Sequence, residues 1–369
     1  MIMEFRIKKD IFLNALFKIQ GIVDKKHTVP ILSNVYIEAF ENKIILSATD
    51  LEIGLKTSLE CEVIKSGKIT ISAKKLFEIV KEFPNIIVSV KEKTNYWVEI
   101  SCDKSLFNLV GLPPDEFPKF PDKSEELFEF DTQSIDEMIN STVFSVSNDE
   151  AKFNLTGIFI KFEGDKLNFA STDGHRLSLM SKVINFDLND KFKTGFILPK
   201  KGIVELSKII DVEKKLIKIG VTDNLFNYVD ENTTFVMRMI DGDFPDYKRV
   251  IPEKSENFSI INIKILIEVL KRVSVLSNEK TKGVKINLTH NKLTVSSSNP
   301  DFGDAKEEMD IIYKGDDITI GFNAKYILDI LNILKCEKIK FYIKDNISPG
   351  MIVPYDNDEY LSVIMPMRF

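Results

Sequence analysis

Three stretches of this chain follow one pattern at a spacing of about 125 residues, and a chain built that way folds as tandem copies of a single unit. A strand, turn, strand and polar cluster runs through NVYIEAFENKIILSATDLEIGL from Asn34, GIFIKFEGDKLNFASTDGHRLSL from Gly157 and GVKINLTHNKLTVSSSNPDFGDA from Gly283. Ile37, Ile160 and Ile286 correspond, as do Lys43, Lys166 and Lys292, and the pairs Thr49-Asp50, Thr172-Asp173 and Ser298-Asn299 fall in register. A strand end leading into a helix returns as ISAKKLFEIV from Ile71, ILPKKGIVEL from Ile197 and GFNAKYILDI from Gly321. The copies also open alike, at Phe5, Phe128 and Phe258, and close alike, with FNLVGLPPDEFP from Phe107, FVMRMIDGDFP from Phe235 and the terminal YLSVIMPMRF. Four weak echoes in the same order outweigh the low identity of each one. The copies are expected at residues 1–124, 125–252 and 253–369.

Within a copy, apolar and polar residues alternate, as in Ile158-Phe159-Ile160-Lys161-Phe162, and hairpin turns such as Glu163-Gly164-Asp165-Lys166 join the runs. Alternation suits antiparallel sheets with one packed face. No βαβ order appears, so the expected class is α+β rather than a doubly wound parallel sheet. Six amphipathic helices are expected near 8–20, 74–83, 133–147, 200–210, 263–277 and 324–335. Together these spans carry a net charge of +6 while the whole chain carries −6, so strands and loops hold −12. Lysines on surface helices can reflect helix propensity and solubility alone. They also suit a helix-lined basic surface facing phosphates. The span 133–147 is the acidic exception, through Asp136 and Glu137. No helix carries a base-reading arginine stripe, so any DNA contact is expected to ignore sequence.

The most enzyme-like segment is Thr172-Asp173-Gly174-His175-Arg176, where a carboxylate lies beside an imidazole. Catalysis by such a pair needs a nucleophile or metal and a third, orienting group. His27, His175 and His290 form no HExxH or HxH arrangement, and the same slot holds Leu51-Glu52 and Pro300-Asp301 in the other copies. The slot reads as a turn after a strand, and no enzyme activity is expected. Ser66-Gly67-Lys68 lacks the upstream glycine of a phosphate loop and GxGxxG is absent, so no nucleotide or other cofactor is expected. Cys61, Cys102 and Cys336 are far apart, which suits reduced thiols in a cytoplasmic protein. MIMEFRIKKD has no signal-peptide core, and no apolar run approaches membrane length. The terminal Val363-Ile364-Met365-Pro366-Met367-Arg368-Phe369 is unusually apolar. It is expected to complete a sheet, to offer an adaptable binding surface, or both.

These residues resemble a known family along essentially the whole chain. Thr28-Val29-Pro30-Ile31-Leu32-Ser33-Asn34, Ala48-Thr49-Asp50-Leu51-Glu52, Ser171-Thr172-Asp173-Gly174-His175-Arg176-Leu177, Asp241-Gly242-Asp243-Phe244-Pro245-Asp246-Tyr247, Leu276-Ser277-Asn278-Glu279-Lys280 and Val363-Ile364-Met365-Pro366-Met367-Arg368 stand in the order of the bacterial DNA polymerase III β sliding clamps. The resemblance implies a non-catalytic processivity factor: a head-to-tail homodimer closing a ring of six similar domains around double-stranded DNA, helices inside and sheets outside. The implied partners are the replicative polymerase catalytic subunit, a clamp loader, and other polymerases and repair proteins. These would insert short peptides into a cleft matching Leu155, Thr172, Gly174, His175, Arg176, Leu177, Pro245, Val250, Val363, Ile364, Met365, Pro366, Met367 and Arg368. Phe369 stands where many relatives have leucine. The DNA-facing positions it implies are Lys26, Lys74, Asp149, Lys152, Phe153 and Asn154, of which Asp149 would repel phosphate. Ring closure is expected to bury Val275 and Leu276 against the neighbour near Phe107. Two other readings compete: a hydrolase using Asp173 and His175, and a monomeric peptide-binding scaffold that does not encircle DNA.

Overall fold

The computed structural model describes residues 2–23, 29–121, 124, 126–222 and 224–368; Lys26 and Phe369 lie outside the described residues. Strands dominate, in sheets of thirteen, eight and four. The three copies share one hairpin. Asn34–Phe40 pairs with Lys43–Thr49, Gly157–Glu163 with Lys166–Thr172, and Gly283–Thr289 with Lys292–Asn299, all antiparallel. Each turn lysine directly faces the residue that ends the preceding strand: Phe40 faces Lys43, Glu163 faces Lys166 and Thr289 faces Lys292. The two-residue loops turn through positive φ at Glu41, Gly164 and Asn291 (51°, 64° and 56°), as tight hairpins between twisted strands require.

All six expected helices form: Lys9–Ile22, Ala73–Glu82, Thr132–Asn140, Lys200–Ile209, Ile263–Val273 and Ala324–Ile333. Their apolar stripes face inward; in the first, Phe12, Ala15, Leu16, Ile19 and Ile22 are buried. Two helices are shorter than their apolar periodicity suggests. The third ends where the Thr142 hydroxyl donates to the Met138 carbonyl at 2.7 Å, and the chain continues as a 3₁₀ turn, Val143–Ser145. The fifth passes directly into another, Ser274–Leu276. A short helix that the periodicity does not announce, Asp190–Thr194, is capped by the Asn189 side chain and stops at Gly195, whose φ is +92°.

The compact units do not coincide with the sequence repeats. One comprises Met1–Gln133 with Lys201–Met239, the other Ser134–Lys200 with Ile240–Phe369. Strand pairing across repeat boundaries is the cause. In the first unit Thr233–Arg238 pairs with Ile53–Glu60, Met237 facing Ile53. In the second, Tyr360–Ile364 pairs with Arg176–Val183, Ile364 facing Arg176. The two junctions share a register. The residue three past the turn aspartate (Ile53 after Asp50, Arg176 after Asp173) faces the residue three before an isolated bridge (Met237 before Ile240, Ile364 before Met367).

At two places that correspond to these junctions in the other repeats, no such partner strand is present among the described residues. Gly303–Asp310 closes the four-stranded sheet beside Lys292–Asn299 alone. Ser105–Leu112 pairs with Trp97–Cys102, and only its last residues, Gly111 and Leu112, meet Gly67–Ser72. Leu106, Phe107 and Val110 on the free stretch are exposed, as are Phe302 and Val275 at the other end of the chain.

Candidate functional site

The second unit carries a groove beside the Thr172-Asp173 turn, and hydrogen bonds fix that turn from within. The Thr172 hydroxyl donates to the Arg176 carbonyl (2.6 Å) and accepts from the Gly174 amide (3.0 Å). Asp173 Oδ1 accepts from the amides of His175 and Arg176 at 2.9 and 3.1 Å. Gly174 sits at φ +90°, a conformation that side chains resist, so a glycine here lets the loop close tightly. The strand Arg176–Val183 leaves the turn and pairs with Tyr360–Ile364, and the Met365 amide extends that ladder to the His175 carbonyl at 2.9 Å.

The groove, roughly 180 Å³, is lined by Leu155, Thr172, Gly174, Arg176, Leu177, Pro245, Asp246, Tyr247, Val250, Val363 and Met365. Its floor continues into a cluster in which Leu177, Tyr247 and Val363 pack with Ala170, Tyr342, Met351 and Val353. Val250 and Met365 rise from it 43% and 40% exposed, so the rim is apolar and open while the floor is fixed. Burial, reinforced by the Glu163 and Asp246 charges, pushes the Tyr247 phenol up to about 12, so it stays neutral at physiological pH.

Arg176 supplies the charge in this wall, yet little of it is free. Its Nε donates to Asp173 at 3.0 Å, one terminal nitrogen to Asp329 at 2.7 Å and the other to the Phe144 carbonyl at 2.8 Å. The guanidinium lies 4.5 Å from the Tyr326 ring centroid and 5.3 Å from that of Phe144. Burial and the Arg176 charge together hold the neighbouring Lys200 ammonium below the ordinary lysine value. Asp173 is therefore engaged by Arg176 and by backbone amides, and it meets His175 through the backbone rather than the imidazole. Among the described residues no cluster of His, Cys, Asp or Glu could hold a metal ion.

Nine of the fourteen expected cleft positions line this groove; Asp246 and Tyr247 join them. His175 is exposed outside the lining. Ile364 is wholly buried on the other face of its strand. Met367 does not share a face of the groove with Met365, because its amide bonds to the Gly321 carbonyl at 2.8 Å instead. Pro366 and Arg368 also lie outside the lining. Of the expected DNA-facing residues, Lys74 is exposed on its helix, 3.8 Å from Glu78. Asp149 caps the Glu150–Leu155 turns by accepting from the Ala151 amide. Lys152 and Phe153 are exposed, whereas the Asn154 amide is bonded to the Asp243 carbonyl at 3.0 Å. Phe107 is half exposed against Phe83, and Val275 is 78% exposed with Leu276 beside it.

Models of the DNA polymerase III beta subunit match the chain in three consecutive pieces: the N-terminal domain at residues 3–121, the central domain at 129–246 and the C-terminal domain at 248–368. The beta sliding clamp of Vibrio cholerae is 30% identical, over 99% of this chain and 100% of that protein, and that of Proteus mirabilis is 32% identical over the same shares. Among solved structures, the Bacillus subtilis DNA polymerase sliding clamp superposes with a TM-score of 0.94 at 28% identity. A Pseudomonas aeruginosa sliding clamp bound to griselimycin gives 0.94 at 30%, and in both cases the whole of each chain is covered.

Proposed function

The chain belongs to the DNA polymerase III beta subunit family, the β sliding clamps, and from that membership we propose that it encircles duplex DNA and tethers the replicative polymerase and other replication and repair proteins to it. Two copies close head to tail into a ring of six repeats, bounded at 1–124, 125–252 and 253–369. A clamp loader opens the ring, the protein catalyses no reaction of its own, and it works in the cytoplasm. No helix among the described residues is long and apolar enough to cross a membrane.

The observation that carries this reading is the pair of unmatched strand edges. Repeat one lends Ile53–Glu60 to a strand of repeat two, and repeat two lends Arg176–Val183 to a strand of repeat three. Among the described residues, repeat three offers Gly303–Asp310 to no further strand, and Ser105–Val110 of repeat one awaits such a strand. Each edge is what the other lacks, so the contact is heterologous and closes by rotation. Extended to this contact, the register of the two junctions would set Phe302 opposite Asn108, Gly303 opposite Phe107 and Leu106 opposite Asp304, with Asn299 and Gly111 in the places of the turn aspartate and the bridge residue. Sheet extension would bury Phe302, Phe107 and Leu106, with Val275 and Leu276 beside them. It would also set the acidic strand containing Asp304, Glu307 and Glu308 near the basic helix of Lys74, Lys75 and Lys81.

Partners would dock a short extended peptide in the groove over Leu177 and Val363, and Lys26, Lys74, Lys152 and Phe153 would face the duplex. Solution mass tests the assembly: light scattering should give twice the chain mass at micromolar concentration. A single-chain mass would favour a monomeric peptide-binding scaffold instead.

A further inference from the structure

The turn beside the groove does not itself need Arg176. In the first repeat Thr49 and Asp50 make the same bonds: the Thr49 hydroxyl donates to the Ile53 carbonyl (2.9 Å), and Asp50 Oδ1 accepts from the Glu52 and Ile53 amides at 2.9 and 2.7 Å. There the place of Arg176 is taken by Ile53. The facing helix differs in step. Counted from the strand that precedes it, Gly202 stands where the other junction has Tyr326, and Glu205 where it has Asp329. A Cβ on Gly202 would lie 2.8 Å from the Met237 sulfur and 3.3 Å from the Ile53 side chain, so the first unit closes this slot with apolar packing. Glu205 turns away to Lys208 at 2.7 Å.

In the second unit the same slot holds a guanidinium stacked on Tyr326 and bonded to two carboxylates. Apolar side chains commonly serve stability as well as a buried guanidinium does; the first unit fills the slot with Ile53 and Met237 and meets its buried turn carboxylate, Asp50, with the Lys201 ammonium of the facing helix instead. The arginine, with an aromatic ring beneath it and a second carboxylate, occurs at the junction that carries the groove. Three of the five N–H donors of Arg176 are engaged, leaving two. Because the guanidinium is planar and rigid, its engaged bonds and the ring beneath it fix where the other two aim.

We propose that Asp329 and Tyr326 are positioning residues for the groove, holding the Arg176 plane so that its two remaining N–H donors meet backbone carbonyls of an extended peptide lying over Leu177 and Val363. The inference rests on the reading of the groove as a peptide site. It also couples peptide binding to the seating of the helix Ala324–Ile333 against the strand Arg176–Val183, each strengthening the other.

Calorimetric titration of the full-length protein with a nine-residue synthetic peptide, carrying two leucines and a terminal phenylalanine, tests this. Asp329→Asn should weaken binding about tenfold. Tyr326→Phe, which keeps the ring, should leave affinity within about twofold, and Tyr326→Leu should weaken it. The deciding comparison is made in an Arg176→Ile background, with the residue that the first repeat uses at position 53 and folds with. There Asp329→Asn should change affinity less than about twofold, because its effect passes through Arg176. Full loss persisting in that background, or unchanged affinity for Asp329→Asn alone, overturns the proposal. A wild-type protein that binds no such peptide overturns the groove reading itself, and this inference with it.

Discussion

Gly54 and Leu177 occupy the same place in successive repeats, four residues past the turn aspartate, and only Leu177 fronts an open groove. A Cβ on Gly54 would lie 3.0 Å from the Phe120 ring and 3.1 Å from Val236, so the missing side chain is replaced by Phe120 moving in. Phe120 corresponds to Tyr247, which packs against Leu177 and Val363 in the second unit. The first junction is thus filled by its own chain. Gly54→Ala should overpack it and cost about 1–3 kcal/mol, seen as a lower urea midpoint, while peptide affinity at the other junction stays unchanged.

Ring closure by sheet extension makes a positional demand. With Leu106 facing Asp304, Cβ atoms of directly opposed residues should lie about 4.5–5.5 Å apart, within reach of an engineered disulfide after mild oxidation. Leu106→Cys with Asp304→Cys should give a covalent dimer on a denaturing gel. Leu106→Cys with Ala305→Cys should cross-link poorly, because a one-residue shift moves the side chain to the other face. Equal yields from both pairs would refute the register.

Val275 and Leu276 offer a second approach to the same interface. Val275 is 78% exposed in the single chain, on a 3₁₀ turn directly after the helix Ile263–Val273, so carboxylates there do not disturb a buried core. Replacing both residues by Asp should leave the fold intact and yield monomers, since closure would bury unpaired carboxylates. A dimer persisting at micromolar concentration would remove these residues from the interface.

Much of this architecture was legible in the sequence because the repeated turns impose strict chemistry. In each copy the hairpin lysine opens the second strand of the shared hairpin and the Thr-Asp or Ser-Asn pair stands at its far end, and this echo, with the three others in the same order and the helical periodicity, makes three copies and an α+β class readable. The division into two compact units was not legible, since it depends on long-range pairing such as Met237 with Ile53, which no local pattern encodes. At the groove, period-two alternation places Met365 and Met367 on one face, but the strand ends at Ile364 and Met367 bridges to Gly321 across another edge. Pro366, which has no N–H to give a ladder, stands between them. Tyr247 closes one of the family motifs yet is not among the expected cleft positions, because a tyrosine with its ring in the core and one edge in a groove leaves no periodic trace.

Retention on DNA separates encirclement from ordinary affinity. Lysines scattered over helices, with no arginine stripe, should give weak and strongly salt-dependent binding to linear duplex. Protein loaded onto closed circles should remain through high salt, and a single restriction cut should release it. Retention on linear DNA with free ends in high salt would point to a different mode of binding.

Met365 is the groove residue whose exposure and anchoring are both defined: its amide is tied to the His175 carbonyl at 2.9 Å, while its side chain stands 40% exposed above Leu177 and Val363. The backbone bond fixes where the side chain begins, and three rotatable bonds let the thioether follow ligands of different shape. That combination suits one groove serving several partners. Met365→Ala keeps the backbone bond and the sheet, so it removes only the apolar wall, roughly 1–3 kcal/mol of contact or about tenfold or more in affinity. Solution mass should stay that of the wild type, because the edges proposed to close the ring are other strands. Calorimetric titration with a peptide from a polymerase tail decides the matter: an affinity equal to that of the wild type would take this wall out of the binding site.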